Sequence, residues 1–127
     1  MFLCVFFFNA PRLVQNESES FQRVHRQGDG CFHVFLDVGA NIGVHGRFLF
    51  EPEKYPRAHT AKSIFDSEFG SDRDNRDICS FEFEPNPAHR PKLEAKSNAY
   101  RAMGWRYEYI QAAAGDFNGY IRFSSQQ

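Results

Sequence analysis

HVFLDVGANIG, residues 33–43, is the stretch that decides the fold of this chain. A run of apolar strand-forming residues ends in an acid and then in a turn with two glycines. This pattern is typical of a buried strand that opens onto a ligand cradle. Gly39 and Gly43 allow a sharp turn and close approach of a ligand to the backbone, and Asn41 also tolerates a left-handed conformation. Since the Asp37 carboxylate can accept hydrogen bonds, the stretch predicts a site for a nucleotide-type cofactor.

The spacing of the glycines indicates which cofactor is expected. A dinucleotide fingerprint requires G-x-G-x-x-G after a strand, whereas Gly39, Gly43 and Gly46 form G-x-x-x-G-x-x-G. An acid two residues before the first glycine gives D-x-G-x-N-x-G. This sequence resembles motif I of S-adenosylmethionine-dependent methyltransferases, with Asn41 in place of the usual middle glycine.

A second motif follows another predicted strand, Ile78–Phe83, in the sequence Glu84-Pro85-Asn86-Pro87. An acid at the end of the second strand of a doubly wound sheet lies beside the loop of the first strand, where it can accept hydrogen bonds from ribose hydroxyls. The pair D-V-G-A-N-I-G and F-E-P-N-P resembles the FkbM-type methyltransferases. The stretches QAAAGD at 111–116 and GYIRF at 119–123 are similar to that family's third strand and following hairpin.

The resemblance covers residues 33–123 and implies an α/β fold with a Rossmann-like methyltransferase sheet, mostly parallel, that is truncated after the third strand and the following hairpin. It implies S-adenosylmethionine as the cofactor. The residues that would shape the methionine and ribose end of its pocket are Asp37, Gly39, Asn41 and Gly43, and Glu84 would hold the ribose hydroxyls. The implied reaction is methylation, with an oxygen of a small molecule or glycan as the expected acceptor.

Two features differ from the family pattern. Glu84 follows Gly43 at about twice the roughly 20-residue spacing typical of such acids, so we expect an insertion in the crossover. The family's later strands, with an acidic D-x-E-G-like motif near the acceptor, have no counterpart in this sequence. No general base can therefore be assigned from the residues present.

The length of 127 residues corresponds to one domain. We divide it into a lead-in, 1–30, and a partial S-adenosylmethionine-binding domain, 31–127. Hydrophobic residues make up 42% of the chain and include 15 phenylalanines, which is enough for a core. Because a half-sheet exposes an apolar edge, the chain would either associate with itself along that edge or be a fragment of a longer enzyme, and we expect the fragment.

The remaining elements follow from apolar spacing and from turn residues. Strands are predicted over 33–38, over 105–113 and over Tyr120–Phe123. One helix is predicted over Arg57–Phe69, with Gly70 as its stop. A second helix is predicted after Asn86 and Pro87, although Pro91 conflicts with a regular helix there. Residues 44–56 carry no clear helical pattern. The order β-α-β-α-β predicts a parallel sheet with right-handed crossovers.

Charge and cysteine content indicate few partners. Fifteen basic and sixteen acidic residues give a formal net charge of −1 with no basic stripe, so nucleic acid is not an expected partner. Cys4, Cys31 and Cys79 lack C-x-x-C spacing, which predicts neither a disulfide framework nor a metal site, and we expect the last two to be free buried thiols. His45, just past the glycine turn, is predicted to be a polar covering residue.

The amino terminus leaves the compartment open. Residues 2–8 are apolar but too short to span a bilayer, and they lack the positively charged start of a signal peptide. The default location is the cytoplasm. A leader or anchor remnant would place the chain in the secretory pathway, where the sequon at Asn16 would matter.

Two other functions compete with methyl transfer. Another nucleotide-binding α/β enzyme, such as an NAD-dependent oxidoreductase, would retain the ribose-binding role of Glu84 but does not fit the glycine spacing. A non-catalytic half-domain would expose a sheet edge and associate with a partner or with itself.

Overall fold

The computed structural model describes residues 26–120 and 122, and these contain three strands and three α-helices. In chain order they are β1 His33–Val38, α1 Val44–Phe50, α2 His59–Phe69, β2 Ile78–Phe83, α3 Arg90–Ala102 and β3 Arg106–Ile110. Short 3-10 turns at Pro52–Lys54 and Asn75–Asp77 precede α2 and β2. The segment between the two motifs, where the sequence predicts an insertion, contains α2 with its flanking turns.

The strands form a parallel sheet in the order β1-β2-β3. Its register places Leu36 opposite Phe81, and Phe81 opposite Glu108. The central strand β2 is buried along most of its length, as expected for a parallel strand with neighbours on both sides. The prediction of an α/β fold with a parallel sheet is thus confirmed.

One face of the sheet carries the hydrophobic core. Each helix contributes buried side chains to it, and β2 and β3 contribute one each. The cluster consists of Leu49 and Phe50 from α1, Phe65 from α2, Tyr100 from α3, Ile78 and Tyr107. Aromatic rings dominate the packing, with Phe50 stacked on Trp105 at 5.6 Å between ring centroids. Such pairs contribute about 1 kcal/mol each beyond the burial of their area.

The opposite face of the sheet is partly uncovered. Val34, Leu36 and Val38 alternate along β1 and are 42–46% exposed. Phe81 on the same face is buried, and the Arg106 guanidinium lies 5.9 Å from the centre of its ring. Within the described residues β1 has a strand neighbour on one side only. Among residues 26–120 and 122, β1 is therefore an edge strand whose outward face is apolar.

A disulfide joins Cys31 to Cys79, with the two Cα atoms 5.7 Å apart. The prediction of two free thiols was wrong. Cys31 lies two residues before β1 and Cys79 is the second residue of β2, and the parallel pairing of these strands brings them together. Sequence spacing cannot show this proximity, because it depends on the register between strands 48 residues apart in the sequence.

The helix predictions were partly correct. The helix predicted over Arg57–Phe69 is present as α2, but α1 forms in a stretch where no helix was predicted. The predicted N-cap at Asn86 is wrong, because the N-cap of α3 is His89. The Asn86 side chain instead accepts a hydrogen bond from the Ala88 N–H in the turn that precedes the helix. α3 begins four residues later, so Pro91 falls in its first turn, where a missing N–H costs nothing.

The carboxyl-terminal predictions were less accurate. β3 is shorter than the strand predicted over 105–113. Tyr120 belongs to no strand, and residues 121 and 123–127 lie outside the described part of the chain, as do residues 1–25. In the ranges 26–120 and 122, no helix has the length and hydropathy required to cross a bilayer.

Candidate functional site

The turn after β1 has the conformation that its glycines predict. Gly39, Asn41 and Gly43 all have positive φ, at 81°, 54° and 68°. Among the described residues Asn41 is the one non-glycine with positive φ. A hydrogen bond of 2.7 Å from the Gly43 N–H to the Ala40 carbonyl closes the turn before α1. Three left-handed residues within five leave this segment dependent on contacts that hold it in place.

The turn is held against the end of β2. The Gly39 and Ala40 N–H groups donate to the Phe83 carbonyl, at 2.8 and 3.1 Å. The Asn41 N–H donates to Oε2 of Glu84 at 2.8 Å, and the Asn86 N–H donates to Oε1 at the same distance. The Glu84 carboxylate therefore links the two motifs singled out in the sequence, and it retains lone pairs for a ligand.

Asp37 lies at the carboxyl end of β1 and is 7% exposed. Both of its carboxylate oxygens are 3.2 Å from Nδ1 of His45, on the first turn of α1. The His45 side chain is itself 61% exposed. His45 thus covers Asp37 and can take part in fixing its orientation. The structure brings all five predicted site residues, Asp37, Gly39, Asn41, Gly43 and Glu84, to the carboxyl ends of β1 and β2.

Glu82 is a buried carboxyl group that the sequence analysis did not single out. It is fully buried in the middle strand, and its Oε1 accepts a hydrogen bond from the Ser80 hydroxyl. Within the described residues its Oε2 has no hydrogen-bond partner. Burial, together with the nearby Asp37 carboxylate, raises the pKa of Glu82 to about 8, against the opposing effect of the Ser80 hydrogen bond. The one sequence signal was an acid inside the apolar run ICSFEF.

Gly46, on α1, is required by the packing above Glu82. A Cβ atom at this position would lie 2.5 Å from Cε2 of Tyr107 and 2.8 Å from Oε1 of Glu82. Real Cβ atoms essentially never make such contacts. Because Gly46 has no side chain, α1 can pack directly on the sheet, and this close packing sets the distance between the sheet and the turn before α1.

Replacing Glu82 with glutamine should flatten the pH dependence of stability. The pKa of Glu82 is raised from 4.5 to about 8 on folding, so the folded state holds a proton that the unfolded state releases between these values. The stability contributed by this proton is present below pH 4.5 and is lost as the pH rises toward 8. We expect urea unfolding from pH 5 to 8 to show a falling free energy in the native chain, by at most about 1.4 kcal/mol per pH unit.

The Glu82→Gln variant should lose this slope, whereas the exposed-site variant Glu94→Gln should keep it. Equal slopes in all three chains would show that Glu82 does not carry the proton.

Lys96, on α3, contacts the turn after β1. Its Nζ donates to the Ile42 carbonyl at 2.8 Å and to the Gly43 carbonyl. Burial, followed by the repulsion of the Arg47 guanidinium, lowers the pKa of Lys96 to about 8, against the attraction of nearby acids. The sequence analysis did not identify this residue, because a lysine on a helix is usually solvated.

A cleft lies at another part of the molecule. It has a volume of about 670 Å³ and is lined by residues that precede the strands, including Arg73, Asn75 and Trp105. Ligands of open α/β sheets bind outside the carboxyl ends of the strands, so this cleft is at the wrong end of the sheet for the predicted cofactor. Residues 26–120 and 122 hold no cluster of three or more His, Cys, Asp or Glu suited to a metal ion.

The fold and site define a mixed α/β chain whose left-handed turn after β1 is joined by a carboxylate to the end of β2. Comparison with known proteins adds no family to this description. No family model, no curated protein and no solved structure matches the chain.

Proposed function

We propose that this chain is an FkbM-type, S-adenosylmethionine-dependent methyltransferase and that the described residues bind the methyl donor. The observation that carries the proposal is the 2.8 Å hydrogen bond from the Asn41 N–H to Glu84. It joins the two sequence motifs on which the resemblance rests, at the carboxyl edge of a parallel sheet. That edge is where such sheets bind nucleotide cofactors.

The residues fit the chemistry of the donor. Glu84 Oε1 and Oε2 each accept one backbone N–H, which leaves acceptor capacity for two ribose hydroxyls. Asp37 can accept from the amino group of the methionine end of the donor. A Cβ atom on Gly39 would meet nothing within 4 Å, so the glycine leaves open space beside the turn.

When bound, the donor supplies a methyl group on a sulfonium, which a nucleophile can displace. This chain would contribute binding and orientation, because alignment is the main requirement of such a displacement. A small molecule or glycan with an acceptor oxygen is the proposed substrate. The His45 side chain, which contacts Asp37 and is exposed, lies beside the proposed methionine end of the donor.

Changing Glu84 to glutamine should lower the affinity for S-adenosylhomocysteine by at least tenfold, since one oxygen that binds ribose becomes an amide nitrogen and the pair of backbone contacts is disrupted. Titration calorimetry measures this directly. Glu94→Gln, the same change at an exposed position on α3, is the matched control and should bind as the native chain does. Equal affinity in both variants would exclude Glu84 from the site.

A second candidate is a non-catalytic half-domain that associates through the open edge of β1. The observation in its favour is the exposure of Val34, Leu36 and Val38 on that strand. Sedimentation over a range of concentrations tests it. Self-association that Leu36→Lys abolishes, in a chain that binds no S-adenosylhomocysteine, would favour this candidate over the methyltransferase.

A further inference from the structure

The turn that would hold the donor is attached to two different parts of the fold. Its N–H groups are bound by the end of β2, at Phe83 and Glu84. Its last two carbonyls, of Ile42 and Gly43, face α3 instead, and Nζ of Lys96 donates a hydrogen bond to each of them. These contacts join segments more than 50 residues apart in the chain.

The packing around this ammonium group leaves little freedom. A Cβ atom on Gly43 would overlap Nζ of Lys96 and the Tyr107 hydroxyl, so the backbone lies directly against them. Nζ is also 5.7 Å from the centre of the Tyr107 ring, within range of a cation–π contact. A second cation, Arg47, donates to the Ile42 carbonyl at 3.1 Å. The Lys96 ammonium and the Arg47 guanidinium therefore both donate hydrogen bonds to carbonyls of this turn.

Placing the Lys96 ammonium in this position costs free energy, which distinguishes it from an ordinary surface lysine. The ammonium of Lys96 is half-removed from water and lies beside a guanidinium, and both features disfavour its charge. Helix α3 could pack on β3 without such a group, through Leu93 and Tyr100. Lys96 adds two charge-assisted hydrogen bonds to the turn. These bonds stabilise a backbone segment that contains three residues in the left-handed conformation.

We propose that Lys96 is a positioning residue, which locks the turn at 39–43 in its ligand-binding conformation from the side opposite Glu84. The proposal rests on the proposed function for its consequence in binding, but the locking of the turn can be tested without any ligand. It predicts that the turn loosens when Lys96 is removed while the sheet beneath it stays intact.

Lys96→Met retains the length of the side chain and removes its donors. We expect the amide hydrogens of Asn41 and Gly43 to exchange with solvent at least tenfold faster in this variant, whereas the amide of Phe81 in β2 keeps its native rate. Lys92→Met, the same substitution on the exposed side of α3, is the matched control and should change neither. Lys96→Gln, whose side chain is shorter, should act in the same direction if the methionine variant folds poorly.

Binding of S-adenosylhomocysteine supplies the second readout. The Lys96→Met variant should bind S-adenosylhomocysteine about tenfold more weakly, because the ligand must then also order the turn. Unchanged exchange at Asn41 and Gly43 in both Lys96 variants would overturn the proposal, whatever the affinity. A native chain that binds no S-adenosylhomocysteine would instead contradict the proposed function, and the exchange rates would still decide the role of Lys96.

Discussion

Loss of the Cys31–Cys79 disulfide should lower the free energy of unfolding by about 4 kcal/mol. The bond closes a loop over a sequence separation of 48 residues, and the chain-entropy account gives roughly this value for a loop of that length. A 127-residue domain has a total stability of about 5–15 kcal/mol. The Cys31→Ser variant should therefore lose a large part of its stability, which urea unfolding measures.

The control for this variant is Cys4→Ser, which removes a cysteine that is not in the disulfide. Alkylation of the denatured native chain gives an independent check, since one of its three cysteines should react before reduction and all three after it. Reaction of all three without a reductant would show that the bond is absent. Such bonds form in oxidising compartments, so the chain should be prepared without reducing agents.

Gly43→Ala should destabilise the fold by about 3 kcal/mol and abolish donor binding. Two costs add at this position. An alanine at φ 68° is strained by about 1 kcal/mol. Its Cβ atom would also lie 2.9 Å from Cδ2 of Leu93 and closer still to Lys96 and Tyr107, and overpacking of this kind costs roughly 2 kcal/mol.

Gly104→Ala separates these two costs. Gly104 has a comparable φ of 78°, but a Cβ atom there would meet nothing within 4 Å. This variant should therefore show the strain alone, at about 1 kcal/mol. Unfolding free energies that are equal for the two variants would mean that the turn does not pack on α3 and β3 as described, and the argument for Lys96 would fail with it.

The local features of the site could be predicted from the sequence. Glycines and an asparagine after an apolar strand favour a left-handed turn because they adopt positive φ at little cost, and Gly39, Asn41 and Gly43 have that conformation. The acid at Glu84 was placed correctly because the ends of adjacent parallel strands meet at one edge of the sheet.

The contacts between distant elements could not be predicted. Glu82 and Lys96 are ionisable residues whose burial depends on how α1 and α3 pack on the sheet. The apolar run around Glu82 is the one sequence signal for either of them. The disulfide depends in the same way on the register of β1 and β2. Pro91 was misjudged because α3 begins at Arg90 and not after Asn86, which places the proline in the first turn.

The most direct test of the donor site is a calorimetric titration of the native, oxidised chain with S-adenosylhomocysteine and, separately, with NADH. Circular dichroism of the same sample establishes that the chain is folded. We expect saturable binding of S-adenosylhomocysteine and none of NADH. A folded chain that binds NADH in preference, or that binds neither, would contradict the assignment of the turn after β1 and Glu84 as a methyl-donor site.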